Sequence, residues 1–220
     1  DVCFIRLDRP RDNNTINRQL TGELGDALRM CSGRAKIVVL EGSPEVFCLG
    51  ADFNEIERNQ VASRNNEQDP AAQYDVWLQL AQGPFVSIAH VRGKVNAGGI
   101  GFVAACDVAL SEEKASFSLS ELLFGLMPAC VLPFLIRRVG AARANYMTLS
   151  ARPIPASQAL AYGLIDACEQ DSQNLLRKQL LHLRRLSRES VVRYKKYVHS
   201  VSGELANCRQ EAVEANRAVF

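Results

Sequence analysis

Two glycine-bearing stretches, each set behind an apolar run, and a third stretch with one carboxylate constrain this chain more than any other feature. They read VFCLGADF at 46–53, VRGKVNAGGIGF at 91–102 and ASFSLSELLFGLMP at 115–128. Gly50 permits backbone dihedrals that other residues avoid, and Ala51 has a side chain too small to block a ligand. Gly98, Gly99 and Gly101 open a predicted helix, where free N–H groups and the positive end of the helix dipole favour developing negative charge. One N–H from each glycine stretch can converge on a single oxygen, with Glu121 placed to take or give a proton nearby. That equipment stabilises a thioester enolate, so an enzyme is the leading reading. Taken singly, GADF reads as a plain turn and AGGIG as close helix packing. Neither G-x-G-x-x-G nor G-x-x-x-x-G-K-[ST] occurs, which argues against a phosphate-binding loop.

The rest of the chain reads as an α/β protein. VCFIRLD (2–8) alternates as a strand, residues 17–31 form an amphipathic helix, and KIVVLEG (36–42) is a continuous buried strand. Residues 57–73 are polar and without period, a mobile loop or frayed helix. A short helix around Trp77, a strand at 85–93, a small-residue helix from AGGIG, and strands at DVALS and ASFSL follow. Helices are expected at 141–149 and 156–162, the second ending at Gly163. Residues 173–199 form one long basic helix or two broken near Ser187–Ser190, and 203–219 is helix-compatible. Strands early and helices late give an α/β core over residues 1–165 and a C-terminal helical region over 166–220.

The net charge of +2 is too small to argue for nucleic acid or a membrane surface. No apolar run approaches the roughly 20 residues that span a bilayer. No secretory signal is read at the start, and Asp1 opens directly onto a strand-like pattern, so the natural N-terminus is expected to lie upstream. The seven cysteines are odd in number and widely spaced without C-x-x-C, which points to reduced core residues in a cytoplasmic protein rather than disulfides or zinc. His90, His182 and His199 lack metal-ligand spacing, His90 reading as a satisfied core histidine, and no G-x-S-x-G elbow supports a serine hydrolase.

Together the motifs resemble the enoyl-CoA hydratase/isomerase (crotonase) superfamily over most of the chain. LDRPRDNNTIN resembles the family's first strand and turn. VFCLGADFNEI and HVRGKVNAGGIGFVAACDVAL resemble its two oxyanion-hole segments. SLSELLFGLMPACVLPFLIRRVG resembles the segment with a catalytic carboxylate, and MTLSARPIPASQALAYGLIDA the stretch before the terminal helices. The resemblance implies a crotonase-like fold, a spiral of ββα units with C-terminal helices, assembled as a homotrimer or a dimer of trimers. It implies an oxyanion hole from the N–H groups of Ala51 and Gly98, with Gly99 beside it and Glu121 as the catalytic carboxylate. Hydratases of the family carry a second glutamate at the position that is Gly101 here, which places ordinary two-glutamate hydration in doubt. Glu121 can take the proton α to the thioester and return it to the leaving hydroxyl. Asp52, Asn96 and Cys130 are the candidates for a separate acid, with a structural cap the competing role for Asp52 and packing for Cys130.

Within the superfamily, NNTIN, EVFCLGADF, HVRGKVNAGG, FSLSELLFGLMPACVLPFLIRR and LRRL resemble the dehydratases of polyketide β-branching cassettes. Their reaction dehydrates 3-hydroxy-3-methylglutaryl-acyl carrier protein to the 3-methylglutaconyl thioester. A carboxylate base suits dehydration better than decarboxylation, which makes its carbanion by losing carbon dioxide. No metal or redox cofactor is implied, since the substrate hangs on the phosphopantetheine of the carrier protein. Arg92, Lys94, Arg137 and Arg138 are candidates for the substrate's free carboxylate. The basic run from Arg177 to Lys196 reads as a solvated helix face or as a dock for an acidic carrier protein, with nucleic acid a third choice. The rivals are a decarboxylase, isomerase or CoA-ester hydratase of the same fold, and a non-catalytic scaffold.

Overall fold

The computed structural model describes residues 2–51 and 69–219. Asp52 and most of the polar stretch at 57–73 lie outside the described residues. That stretch ends in a helix, capped by the Asp69 carboxylate accepting from Ala71 N–H and started by Pro70.

Two sheets organise the molecule. The larger one is wholly parallel, in the order β1 (Val2–Arg6), β2 (Ile37–Glu41), β4 (Val86–Val91), β6 (Val108–Glu112) and β9 (Ala167–Glu169). β2 and β4 are buried along their whole length, which is why both read as unbroken apolar runs rather than alternating ones. The smaller sheet runs β3 (Val46–Cys48), β5 (Lys94–Asn96), β7 (Ser116–Ser118) and β8 (Ile154–Pro155), its first three strands parallel and β8 antiparallel. The short strand β5 does not stand out in the sequence, where HVRGKVN reads as one strand end and a turn. Gly93 makes the break: a Cβ there would lie 2.1 Å from the Glu45 carbonyl carbon. The chain therefore leaves the large sheet at Val91 and enters the small one at Lys94. The strand–strand–helix repeat expected of a crotonase-like spiral is present.

The helices are α1 (Arg18–Ser32), α2 (Pro70–Gln82), α3 (Gly98–Ala105), α4 (Leu132–Ser150), α5 (Ala156–Tyr162), α6 (Ser172–Leu183), α7 (Arg188–Ser202), α8 (Glu204–Asn207) and α9 (Arg209–Arg217). The basic stretch is two helices, as the Ser187–Ser190 alternative expected: the Ser187 hydroxyl accepts from Ser190 N–H and caps α7. The helix expected at 141–149 is the second half of the longer α4, which kinks at Gly140. α2 is tied to the C-terminal helices, where Tyr74 Oη donates to the Leu205 carbonyl at 2.6 Å and the Arg209 fork grips Asp75 at 2.6 Å.

Two buried polar sites hold the large sheet. His90 faces Glu41 at 2.7 Å and the Ser172 hydroxyl at 3.0 Å, all three buried, joining β2, β4 and α6. The His90 hydrogen bond holds the Glu41 carboxyl below the usual carboxylate range. Lys195 turns inward from α7 to reach Asp107 at 2.6 Å and the Phe85 carbonyl at 2.9 Å. Lys195→Ala leaves that carboxylate and carbonyl without their cation and is expected to cost about 3–5 kcal/mol, measured as a fall in the urea midpoint. The seven cysteines are all free thiols. Among the described residues no helix is long and apolar enough to cross a membrane, and no cluster of His, Cys, Asp or Glu is placed to hold a metal ion.

Candidate active site

Three parallel strands of the small sheet deliver the three sequence segments to one edge. β3 ends at Cys48 and runs into Gly50–Ala51, β5 ends at Asn96 and runs into Ala97–Gly98, and β7 ends at Ser118 and runs into Ser120–Glu121. The pairing Cys48↔Val95 and Asn96↔Ser118 brings these carboxyl-terminal ends level. Ligands of α/β sheets gather at such ends.

Gly50 and the Ala97–Gly98 turn touch. Gly50 has φ +86°, and a Cβ on it would lie 2.6 Å from the Ala97 Cβ and 3.0 Å from the Gly98 nitrogen. Its carbonyl accepts from Ile16 N–H at 2.7 Å, which fixes Ala51 beside Ile16. The Gly98 N–H is the first of α3 and has no carbonyl one turn earlier within the helix. Ala97 takes φ +50° and ψ −125° to turn the chain from β5 into α3, a conformation that costs a non-glycine residue about 1–3 kcal/mol. The Ala97 N–H donates to the Ser118 carbonyl and so ties this turn to β7. Gly99 packs directly on β3, since a Cβ there would lie 2.3 Å from the Cys48 carbonyl oxygen. Gly50→Ala is therefore expected to force the two turns apart and to lower kcat by about 10²–10³, the usual loss of one oxyanion donor, with a smaller change in melting temperature.

Glu121 begins a short 3₁₀ turn, Glu121–Phe124, and is only 7% exposed. Burial pushes its carboxyl up to about 7, against smaller opposing hydrogen bonds from backbone groups at Glu121 and Ser120. Its Oε2 is buried and has no hydrogen-bond partner among the described residues. A buried, unsatisfied carboxyl that titrates near neutrality fits proton transfer better than a structural role.

The other expected site residues are placed as follows. Asn96 spends both ends of its amide on the strand that bears Glu121, donating to the Ser120 hydroxyl at 2.8 Å and accepting from the Ser118 hydroxyl at 2.8 Å. It positions the Glu121 turn. The Cys130 thiol points to the Ala212 carbonyl on α9 at 3.5 Å, and burial pushes it up to about 12, so it stays protonated and packs between α4 and the C-terminal helices. Arg137 donates to the Ala104 and Ala105 carbonyls, at the far end of α3 from Gly98, about 10 Å away by helix rise. There it complements the negative end of the helix whose first N–H is that of Gly98. Arg138 reaches Asp166 and the Leu164 carbonyl, and Arg92 the Gly42 carbonyl. Lys94 is exposed at the opposite end of β5 from Asn96.

One residue of this neighbourhood escaped the sequence reading. Trp77 of α2 lies against both Gly98 and Gly101: a Cβ at Gly101 would be 2.5 Å from its Cε2 and Cζ2 atoms. The indole therefore fills the space that a side chain at Gly101 would need. Phe102 and Phe134 pack edge-on against it, with ring centroids 5.9 and 5.8 Å away. Of the basic run, Arg177, Arg184, Arg185, Arg188, Arg193 and Lys196 are exposed, whereas Lys195 is buried.

Known proteins match this chain. The enoyl-CoA hydratase/isomerase family model matches residues 1–220. The bacillaene synthase dehydratase PksH of Bacillus subtilis is 50% identical over 220 residues, spanning 100% of this chain and 85% of that protein. The 2,3-dehydroadipyl-CoA hydratase of Escherichia coli is 33% identical over 167 residues, 74% of this chain and 64% of that protein. The crystal structure of Bacillus subtilis PksH superimposes with a TM-score of 0.95 over 98% of this chain and 86% of that one. Pseudomonas aeruginosa AtuE does so with a TM-score of 0.85 at 29% identity, over 97% of this chain and 85% of that one. The chain is thus an enzyme of the enoyl-CoA hydratase/isomerase (crotonase) family, among relatives named for adding or removing water.

Proposed function

We propose that the protein is a dehydratase that converts 3-hydroxy-3-methylglutaryl-acyl carrier protein to 3-methylglutaconyl-acyl carrier protein in polyketide β-branching. The observation that carries this reading is the buried Glu121, titrating near pH 7, at the strand end level with the Gly50–Ala51 and Ala97–Gly98 turns. The 50% identity to a polyketide synthase dehydratase supports the substrate class.

The steps follow from the groups present. The thioester carbonyl oxygen accepts from the N–H groups of Ala51 and Gly98. The Glu121 carboxylate removes the proton on the carbon next to the thioester, and the electron pair moves onto the carbonyl oxygen as an enolate. The two N–H groups hold that charge in a water-poor site, worth about 3–4 kcal/mol for each donor. The enolate then collapses, the C3–oxygen bond breaks, and the protonated Glu121 returns its proton to the departing hydroxyl. One substrate gives one enoyl thioester and one water, so a single carboxylate suffices. Asp52 remains a candidate for a separate acid.

No metal or redox cofactor enters this scheme; the phosphopantetheine thioester of the carrier protein does the activating. The exposed arginines of α6 and α7 are the surface for an acidic carrier protein. Exposed Leu122, Leu123 and Phe124, directly after Glu121, form an apolar face that a homotrimer or a dimer of trimers would cover. The reduced cysteines fit a cytoplasmic enzyme. Residues 1–165 form the catalytic core in this reading, and 166–220 the helical region that backs it.

The test is the intact mass of the carrier protein after incubation of 3-hydroxy-3-methylglutaryl-carrier with the enzyme. Loss of one water, abolished in Glu121→Gln, is the expected result. No change on the carrier together with turnover of an enoyl-CoA would return the protein to the general hydratase reading, and inertness toward both would leave a scaffold.

A further inference from the structure

Among the described residues, two buried hydrogen-bond donors on one face of α2 have no partner: the Trp77 indole Nε1 and the Gln73 amide Nε2. They lie four residues apart, so their side chains stack on the same face of the helix. Trp77 is 2% exposed. The Gln73 amide is oriented by the Thr21 hydroxyl, which donates to its Oε1 at 2.9 Å and leaves the NH₂ end as the free donor. An unmet buried donor costs about 1–3 kcal/mol, so two on one face call for a ligand that accepts from them.

Both donors adjoin elements that lead into the candidate site. Thr21 lies one turn into α1, just after Ile16, whose N–H holds the Gly50 carbonyl. A Cβ at Gly98 would lie 2.9 Å from Ile16 Cδ1 and 3.8 Å from Trp77 Cζ2. The indole therefore adjoins the Gly98 turn, and a five-carbon diacid whose thioester oxygen accepted from Gly98 N–H would carry its distal carboxyl about 5 Å from the thioester carbon.

We propose that Trp77 Nε1–H and Gln73 Nε2–H bind the distal carboxylate of the substrate and set the enzyme's preference for a dicarboxylic 3-hydroxyacyl thioester. The inference rests on the dehydratase reading. Three observations converge on it. Arg137 and Arg138 donate to carbonyls and to Asp166 behind α3, and Arg92 donates through Nη2 to the Gly42 carbonyl, so neutral donors take their place. Neutral donors also leave Glu121 near pH 7, whereas a guanidinium within about 4–6 Å would draw its carboxyl down and weaken it as a base. Finally, a glutamate at position 101 would set a second negative charge beside the substrate's carboxylate. At Gly101 the uncharged indole ring of Trp77 occupies that space instead.

Trp77 is the only tryptophan in the chain, so its fluorescence reports the contact directly. The experiment titrates Glu121→Gln protein with the pantetheine thioesters of 3-hydroxy-3-methylglutarate and of 3-hydroxy-3-methylbutyrate, which lacks the distal carboxylate. The diacid thioester is expected to bind about 10–100-fold more tightly, the range of a hydrogen bond to a charged group, and to shift the tryptophan emission. The monoacid thioester leaves the emission unshifted. Adding Trp77→Phe or Gln73→Leu, with affinity read by calorimetry, should erase most of the preference and change monoacid binding little. Equal affinity for both thioesters, or equal weakening of both by Trp77→Phe, would overturn the proposal. A Trp77-dependent preference in a protein that removes no water would instead leave the inference standing and sink the dehydratase reading.

Discussion

Glu121→Gln will lower the rate of water loss by about 10²–10⁴, the usual contribution of a positioned general base. In the native enzyme kcat/KM will rise with pH and level off above a midpoint near 7, because only the carboxylate accepts the proton. The same carboxyl has an opposite effect on stability. Its ordinary value is 4.5 and its folded value about 7, so between these pH values the folded protein holds a proton that the unfolded chain has released. Stability therefore falls as pH rises through that window, by about 3 kcal/mol in all. The glutamine variant removes the penalty, and its urea midpoint should exceed that of the native protein at pH 8 and approach it at pH 5. A variant less stable than the native enzyme at pH 8 would show that the buried carboxylate is not the strained group described here.

The second large effect is at Gly101. Gly101→Glu drives a Cβ to 2.5 Å from two indole atoms of Trp77 and should fail to fold at native yield. In a Trp77→Ala background the same glutamate finds room. The two substitutions should then be coupled by about 1–3 kcal/mol in a double-mutant cycle of unfolding free energies. The double variant should also hydrate a short enoyl thioester faster than Trp77→Ala alone, because a second carboxylate can position water. Additive stabilities would mean that something other than the indole keeps position 101 empty.

Much of this site is legible in the sequence because it is local. Glycine in LGADF and NAGGIG and the carboxylate in SLSELLFG each sit just past a strand, and the strand ends converge. The non-local part is less visible. Asn96 looks available until Ser118 and Ser120 on the neighbouring strand take both ends of its amide. Arg137 lies within a motif segment, yet its place in the first half of α4 carries it to the back of α3. Trp77 stands 24 positions before Gly101, and nothing in the intervening residues announces that one fills the other's space. Glycine two residues past the pair reads only as a missing acid, although its neighbour across the core gives it meaning.

The turns at Gly50–Ala51 and Ala97–Gly98 divide the enzyme's heritable properties into two kinds. The groups that would face the substrate carbonyl there belong to the main chain, so no replacement of a side chain can delete them; it can only displace them. Lineages that share this sheet edge would inherit enolate formation almost unalterably. On the proposed mechanism, what happens next to the enolate is decided by a few side chains on α2, α3 and the Glu121 turn. New reactions in this architecture should therefore arise through changes at positions such as 77, 101 and 121, while the strand ends stay fixed.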